Sequence, residues 1–447
     1  MADKYRIVVE LYSDSNPNLV ERKIIEDKTI EPVNSIYDLG IRHTNQINLL
    51  QNIQQQVLNC QSKFLKDDIE FCPNCGSKVN KHGYDNCKFH SVFTDHEVKT
   101  QRLKCSKCNW KSTHSIKSLF GTSIHPDLAK IQSELGASHS YRESEKILNL
   151  QSAGKRPVNN HDRVKHIVSH IGKEIEVENN NRFNTKSIEA ERAIALIIQV
   201  DGGHLKSGEE ERRSFEVMTA VVYKPESVGK LNGEGRGKIY NKSCTASALD
   251  DKQESIKRDT LIAALRQGMT KDTNITAICD GASNCWSIVS YLEPHCKSVT
   301  SILDWFHIAM KFKNIAVPER NKEQFEKAKW HLWRGNPEQS LERLRDLLAT
   351  IPGKYHIKLG KLIAYIENNK NYIVNYEHRR KNNLVFTSNV AESNVESLIN
   401  QRCKCKQHMI WSRQGVQPLL QIRAAIHSND WNQRWENTVL SGLKNAA

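Results

Sequence analysis

Ala193-Ile-Ala-Leu-Ile-Ile-Gln-Val-Asp-Gly-Gly-His204 is the stretch on which the fold turns. The apolar run through Ile198 is too short for a buried helix and rich in branched residues, so Ala193–Val200 is expected to be a strand buried on both faces. Working outward, Ser214–Tyr223 and Lys238–Thr245 read as two further strands. They are followed by helix Asp251–Gly268, strand Ile275–Cys279, helix Cys285–Leu292, strand Val299–Leu303 and helix Trp305–Lys313. Three consecutive strands and then alternating strands and helices predict a mixed sheet flanked by helices. From about Pro318 to Arg380 the chain is Lys-, Glu- and Leu-rich with no strand pattern, which reads as an all-helical insertion. Helices Ala391–Arg402 and Gln414–His427 complete the chain.

Upstream of the strand run, Glu178–Ser187 is polar and aperiodic and reads as a linker. Three helical patterns precede it, Pro126–Leu135, Tyr141–Leu150 and Asn160–Ile171, with Ser140 and Asn160 as N-caps. In a basic chain they suggest a helix-turn-helix unit. Earlier still are two knuckles, Cys72-x2-Cys75 and Cys105-x2-Cys108, with 29 residues between Cys75 and Cys105. Four thiolates on paired turns give the tetrahedral shell that structural Zn²⁺ prefers, so a small β module of the zinc-ribbon kind is expected. His82, Cys87 and His90 are competing ligands, Cys87 being the one that would replace a knuckle cysteine. Cys60, Cys244, Cys279, Cys285 and Cys296 have no partner spacing, and Cys403-Lys-Cys405 reads as incidental. The N-terminus offers a short strand at Ile7–Val9 and an amphipathic helix over Ile47–Leu58.

The chain has 447 residues, long enough for two to four domains, with 38% hydrophobic and 26% charged residues. That composition excludes collagen-like, disulfide-knot and wholly disordered classes. No apolar run approaches the roughly 20 residues needed to span a bilayer, and the N-terminus has no h-region, so a cytoplasmic location and no membrane partner are expected. A formal charge of +14, from 65 Lys and Arg against 51 Asp and Glu, points to a polyanionic partner, nucleic acid first.

The chemistry is acidic. Asp201 follows one buried strand and Asp280-Gly-Ala follows another, each at the sheet's carboxyl end where a Gly turn leaves room for a ligand. Two such carboxylates can share Mg²⁺, and a third acid, Glu392, opens a helix in Asn389-Val-Ala-Glu392. Divalent ions bridged by carboxylates deprotonate water and stabilise the leaving oxygen of a phosphodiester. Glu396 shares a helix face with Glu392 at i and i+4 and is the alternative third acid. Gly233-Glu-Gly-Arg-Gly237 opens no helix, so it reads as a flexible hairpin and not a phosphate cradle.

In the order zinc ribbon, helix-turn-helix, Asp201-Gly, Asp280-Gly-Ala, Asp304-Trp-Phe-His307 and Asn389-x2-Glu392, the chain from about Phe71 to Arg423 resembles bacterial insertion-sequence transposases of the DDE type. The nearest likeness is to the ISKra-like group, related to Mutator-like elements. Met409-x-Trp411 and Leu419-x3-Arg423 are similar to that family's C-terminal signatures. The resemblance implies a multidomain α/β chain with an RNase H-like catalytic domain, interrupted by a helical insertion before its last acid. It implies Asp201, Asp280 and Glu392 as ligands of two Mg²⁺ or Mn²⁺ ions, His307 as a catalytic group orienting phosphate or a carboxylate, and Arg402 as a DNA-phosphate contact. Its partners would be double-stranded DNA, as terminal inverted repeats and target, bound by a homo-oligomer in the bacterial nucleoid. The activity would be strand cleavage followed by strand transfer. Two rivals stand beside it: a nuclease without strand transfer, and a catalytically silent DNA-binding protein.

The expected organisation is therefore an N-terminal segment with an amphipathic helix over 1–60, a zinc ribbon over 61–122 and a helix-turn-helix unit over 123–177. A linker over 178–188 leads to the first part of the catalytic domain over 189–317, the helical insertion over 318–384 and the C-terminal catalytic helices over 385–447.

Overall fold

A computed structural model describes residues 3–13, 16–65, 69–112, 115–152, 154–185, 190–209, 213–230, 237–388, 395–405 and 409–440. The described chain is mixed α/β and divides into two compact units, Met1–Val168 with Trp435–Ala447, and Ser169–Arg434.

The first unit opens with a hairpin of β1 (Lys4–Ser13) and β2 (Asn16–Thr29), much longer than the short strand expected at Ile7–Val9. Helix α1 (His43–Gln61) contains the predicted amphipathic stretch. A second hairpin pairs β3 (Val79–His90) with β4 (Asp95–Cys105), and a short helix α2 (Ile116–Phe120) follows. Helices α3 (Pro126–Ser138), α4 (Tyr141–Gln151) and α5 (His161–Thr185) start where the caps predict. Ser140 Oγ accepts from the Glu143 N–H, and Asn160 Oδ1 from the Asp162 N–H at 2.9 Å. Helix α5 runs on to Thr185, so the segment expected as a linker over 178–188 is helical through most of its length.

One side chain fastens these helices to the hairpin. Arg156, 7% exposed, donates to the carbonyls of Ser91, Val92 and Thr94 at 2.8–2.9 Å and to Asp95 Oδ1. A buried guanidinium is tolerated only when its donors are satisfied, and this one is spent on closing the β3–β4 turn. Burial would raise the Asp95 carboxyl, but the bonds from His90 and Arg156 outweigh it and hold it at about 2.

The second unit contains the five-stranded sheet. Strands β5 (Ala195–Lys206) and β6 (Ser214–Tyr223) form a long antiparallel arm. A small hairpin of β7 (Val228–Lys230) and β8 (Gly237–Ile239) leads to β9 (Ser243–Ser247) on the far edge of β6. The strand expected over Lys238–Thr245 is thus two strands with a turn between them. After α6 (Glu254–Arg266) comes β10 (Asn274–Cys279), then α7 (Ser283–Ser290) and β11 (Ser298–Leu303). The order is β11-β10-β5-β6-β9, with β5, β10 and β11 mutually parallel.

Leu196, Ile198 and Val200 of β5 pack with Ile275, Ala277 and Cys279 of β10 and with Ile256, Leu261, Cys285 and Ile288 of α6 and α7 into one core. The neighbouring Ile197 on β5 is buried as well, which is why the run is apolar without alternation.

Helix α8 (Trp305–Lys313) leads into the insertion, which is helical as expected: α9 (Lys322–Trp333), α10 (Pro337–Thr350), α11 (His356–Asn369) and α12 (Tyr376–Lys381). A π-helical turn, Val395–Asn400, runs into α13 (Gln401–Cys403), and α14 (Arg413–His427) lies along β9. No described helix is long and apolar enough to cross a membrane.

Candidate functional site

Strand register sets the acidic site. Val200 pairs with Cys279, and Cys279 with Leu303, so the next residues on three adjacent parallel strands are Asp201, Asp280 and Asp304. The sheet thus carries three aspartates at one level, and with His307 and Ser388 they line one small cleft. Asp201 does not end its strand as the sequence suggested: β5 continues to Lys206 because β6 goes on pairing with it after β10 has stopped. Asp201 Oδ1 accepts from the Gly202 N–H and Asp280 Oδ1 from the Ala282 N–H, at 2.8 and 2.9 Å. Gly281 takes φ +96° in this turn, and a Cβ there would lie 2.9 Å from Asn369 and Leu303. The Gly after Asp280 is therefore a steric requirement.

Asp304 is of a different kind. It caps α8, and Oδ1 accepts from the N–H groups of Phe306 and Ser388 at 3.0 and 3.1 Å. Oδ2 accepts from His307 Nδ1 at 2.9 Å and from the Ser388 hydroxyl. Burial would raise its pKa, yet these bonds hold it below the usual carboxylate range. His307, which burial would push down, is raised by the same bond and by the neighbouring aspartates. Burial raises Asp201, and the charges of Asp280 and Asp304 add to it against the opposing pull of His307. Asp304 fixes His307 and accepts through both oxygens, whereas Asp201 and Asp280 each accept through Oδ1 from a backbone N–H of their own turn.

Glu392 and Asn389 lie outside the described residues, as do Gly233–Arg236 and Lys406–His408. Their flanks are described. Ser388 is bonded to Asp304, and Val395 and Ile399 sit on Gly203, where an added Cβ would come within 3.0 Å of both side chains. The second Gly of Asp201-Gly-Gly-His204 admits the π-helical turn to the sheet. Arg423 holds that turn from behind, its buried guanidinium donating to the carbonyls of Leu398 and Ser397. Glu396 is exposed, accepts from Asn400 Nδ2 at 2.8 Å and is not among the described residues that line the cleft. Arg402, expected at DNA phosphate, is 1% exposed with its guanidinium 5.2 Å from the Trp411 ring centroid. Its guanidinium thus faces Trp411 of the Met-x-Trp segment from an interior position.

Two tyrosines of the insertion brace the site, and sequence reasoning missed both. Tyr365 donates to the Asp280 carbonyl and Tyr376 to the Leu303 carbonyl, each at 2.7 Å. Lone tyrosines in helical sequence give no signal of that role, which appears only when α11 and α12 fold back over the strand ends.

The cysteines form a separate centre. The ligand atoms of Cys72, Cys75, Cys105 and Cys108 lie within 4.8 Å of one another, and this is the one group of three or more metal-ligating residues so close among the described residues. The three aspartates do not reach that spacing. Two matching turns build the cysteine cluster. The Gly76 N–H donates to the Cys72 carbonyl and the Asn109 N–H to the Cys105 carbonyl, with Gly76 and Asn109 both at positive φ. Donors from Ser77 pull the Cys75 thiol down to about 6. Cys108, despite a bond from the Trp110 backbone, is pushed up to about 12 by the other sulfurs. Four crowded thiols cannot all ionise without a cation, and the set can hold one structural metal ion such as zinc. Cys87 instead contacts Thr100, and His90 pairs with Asp95.

Compared with known proteins, the chain matches no family model and no curated protein.

Proposed function

We propose that the chain is a DNA transposase of the DDE type, akin to the ISKra-like group, which binds the terminal inverted repeats of its element and cleaves and joins strands with Mg²⁺ or Mn²⁺. The observation that carries this reading is the register that puts Asp201 and Asp280 level on adjacent parallel strands, with His307 in the same cleft. The sheet order supports an RNase H-like catalytic domain, because three consecutive antiparallel strands are followed by two that cross over to lie parallel to the first.

The donor types suit a hard divalent cation: part-buried carboxylate oxygens, with Asp201 lifted chiefly by burial and further by the charges of Asp280 and Asp304. Asp201, Asp280 and Glu392 would hold the ions, which when bound supply an activated oxygen nucleophile and stabilise the departing one. The chain's own part is positional. Asp304 orients His307 and favours its charged form, in which Nε2 would be a donor for a phosphate oxygen. Ser388 and Gly203 bring both flanks of the Asn389–Glu392 segment to the acids. Element ends would be read by the first unit, where the four-cysteine knuckles, helices α3 and α4 and the start of α5 lie. Affinity should fall steeply with salt as phosphate counterions are released.

The test is Mg²⁺-dependent nicking and strand joining on a duplex carrying the element end, identified from inverted repeats in the DNA flanking the gene. Nicking without joining would favour the nuclease reading, and repeat binding without nicking the silent one. In the same assay Glu396→Gln should keep cleavage within about threefold of wild type, since an exposed carboxylate bonded to Asn400 of its own turn supplies little transition-state stabilisation. An inactive Glu396→Gln beside an active Glu392→Gln would move the third ligand four residues on.

A further inference from the structure

At the opposite end of the sheet from the acids lies a second polar cavity. Ser243 is level with Val222 and Ile198, three residues before Asp201 on β5, and the turn preceding Ser243 opens toward the amino ends of the parallel strands. There a cavity of about 450 Å³ is lined by Lys242 from that turn, Arg182 from α5, Arg266 from the end of α6, and Asp430 and Arg434 from the segment after α14. This is the size of a small-ligand site, roughly 300–1,000 Å³, but its walls are almost wholly polar.

The charges do not balance within the cavity. Asp430 Oδ2 is shared between Arg434 Nε at 2.9 Å and Arg266 Nη1 at 3.7 Å. Arg182 pairs outside the lining with Glu178 at 2.5 Å. Lys242 makes no salt bridge among the described residues. Among the described lining residues four cations therefore face the single carboxylate of Asp430, while Glu178 and the buried Asp259 act on Arg266 from outside the lining. Two of the cations, Arg266 and Arg434, are largely buried, so solvent screens their repulsion poorly. Cations beside helix C-termini commonly just offset the helix dipole. That role needs no cavity and would not place Lys242 on its wall without a carboxylate partner among the described residues.

We propose that this cavity is an anion site that binds a phosphate-bearing group. The guanidinium groups of Arg266 and Arg434 suit phosphate oxygens, Lys242 supplies a mobile third charge, and Asp430 together with Asn179, which accepts from both arginines, competes with the ligand for them. The phosphate could belong to a free nucleotide or to a DNA backbone; the charge pattern is the same for both. The site does not depend on the acid cleft, and its test uses no cleavage.

Inorganic pyrophosphate titrated into the full-length protein by calorimetry, without added magnesium and at constant ionic strength, should bind saturably. Lys242→Ala, at a half-buried turn position, should weaken binding about tenfold, the size of one lost charge-assisted hydrogen bond. Asp430→Asn should tighten binding several-fold, a gain that misfolding cannot produce. Competition by a short duplex of unrelated sequence, lost in Lys242→Ala, would assign the phosphate to DNA. Pyrophosphate and adenosine triphosphate binding unaffected by the duplex would assign it to a free nucleotide. No saturable binding, or identical affinities for wild type and both variants, would overturn the proposal.

Discussion

Asp201→Asn and Asp280→Asn should each lose Mg²⁺-dependent nicking of an element-end duplex by about a thousandfold or more, equivalent to ~4 kcal/mol of barrier, while gel-shift binding to the same duplex stays at the wild-type level. The substitution keeps side-chain size and removes one negative charge from a cleft whose proposed task is to concentrate it. Stability should move the other way. Asp201 has its folded pKa raised, chiefly by burial. Its contribution is therefore fully present below the unfolded value and lost as pH rises through the folded one. At neutral pH the charged form costs stability, so Asp201→Asn should leave the metal-free protein as stable as wild type or more so. Asp304 has the opposite sign. Its folded pKa is depressed, so its stabilisation is present above the unfolded pKa and lost as pH falls. Asp304→Asn, which leaves the donors of His307 and Ser388 without a carboxylate, should lower the melting temperature. Thermal unfolding without divalent ions, run beside the nicking assay, reads both signs. Wild-type nicking by Asp280→Asn would refute the metal-binding role, and equal melting shifts for Asp201→Asn and Asp304→Asn would refute the division of labour between the two aspartates.

The level at which these acids meet was legible in the sequence because a buried parallel strand advertises itself twice, by an unbroken apolar run and by the Gly that follows its last carboxylate. Strand β5 shows both marks, and β10 shows the Gly after its carboxylate although Thr276 breaks its apolar run; upstream, the starts of α4 and α5 follow from the caps Ser140 and Asn160. What the sequence hid are features fixed by tertiary pairing. Strand β5 continues past Asp201 because β6 supplies a partner, which no local pattern announces. Helix α5 crosses a polar stretch, Glu178–Thr185, whose Asn residues have poor helix propensity, and its neighbours override that preference: Asn179, 6% exposed, accepts from Arg266 at 3.1 Å. Arg402 looked like a surface cation because charge alone suggests exposure, yet the Trp411 ring gives its guanidinium an interior face to lie on. Side chains that act on backbone carbonyls, as Tyr365 and Tyr376 do, leave no spacing signature of their own.

Removing the metal from the cysteine centre should unfold one end of the β3–β4 hairpin and leave the other in place. The turn end is tied by Arg156, which closes Ser91–Asp95 through four hydrogen-bonded partners. The knuckle end has little to hold it besides the sulfurs: Cys72, Leu103 and Cys105 are buried there, but Phe71 and Tyr84 are more than half exposed. A structural zinc site contributes apparent binding energies of roughly 10 kcal/mol or more to folding, far above what those few buried side chains supply. Purified protein should contain about one zinc per chain, and Cys105→Ser combined with Cys108→Ser should lose it. In that variant, amide exchange should quicken by several orders of magnitude over Cys72–Lys81 and Gln101–Lys111, where pairing depends on the knuckles. It should change little at Ser91–Asp95 or in the strands of the five-stranded sheet. Element-end binding, measured without magnesium, should fall with the same variant if the knuckles present the reading surface. Zinc retained by the double variant would show that other side chains hold it. Protection lost equally at both ends of the hairpin would show that Arg156 does not anchor the turn independently of the metal.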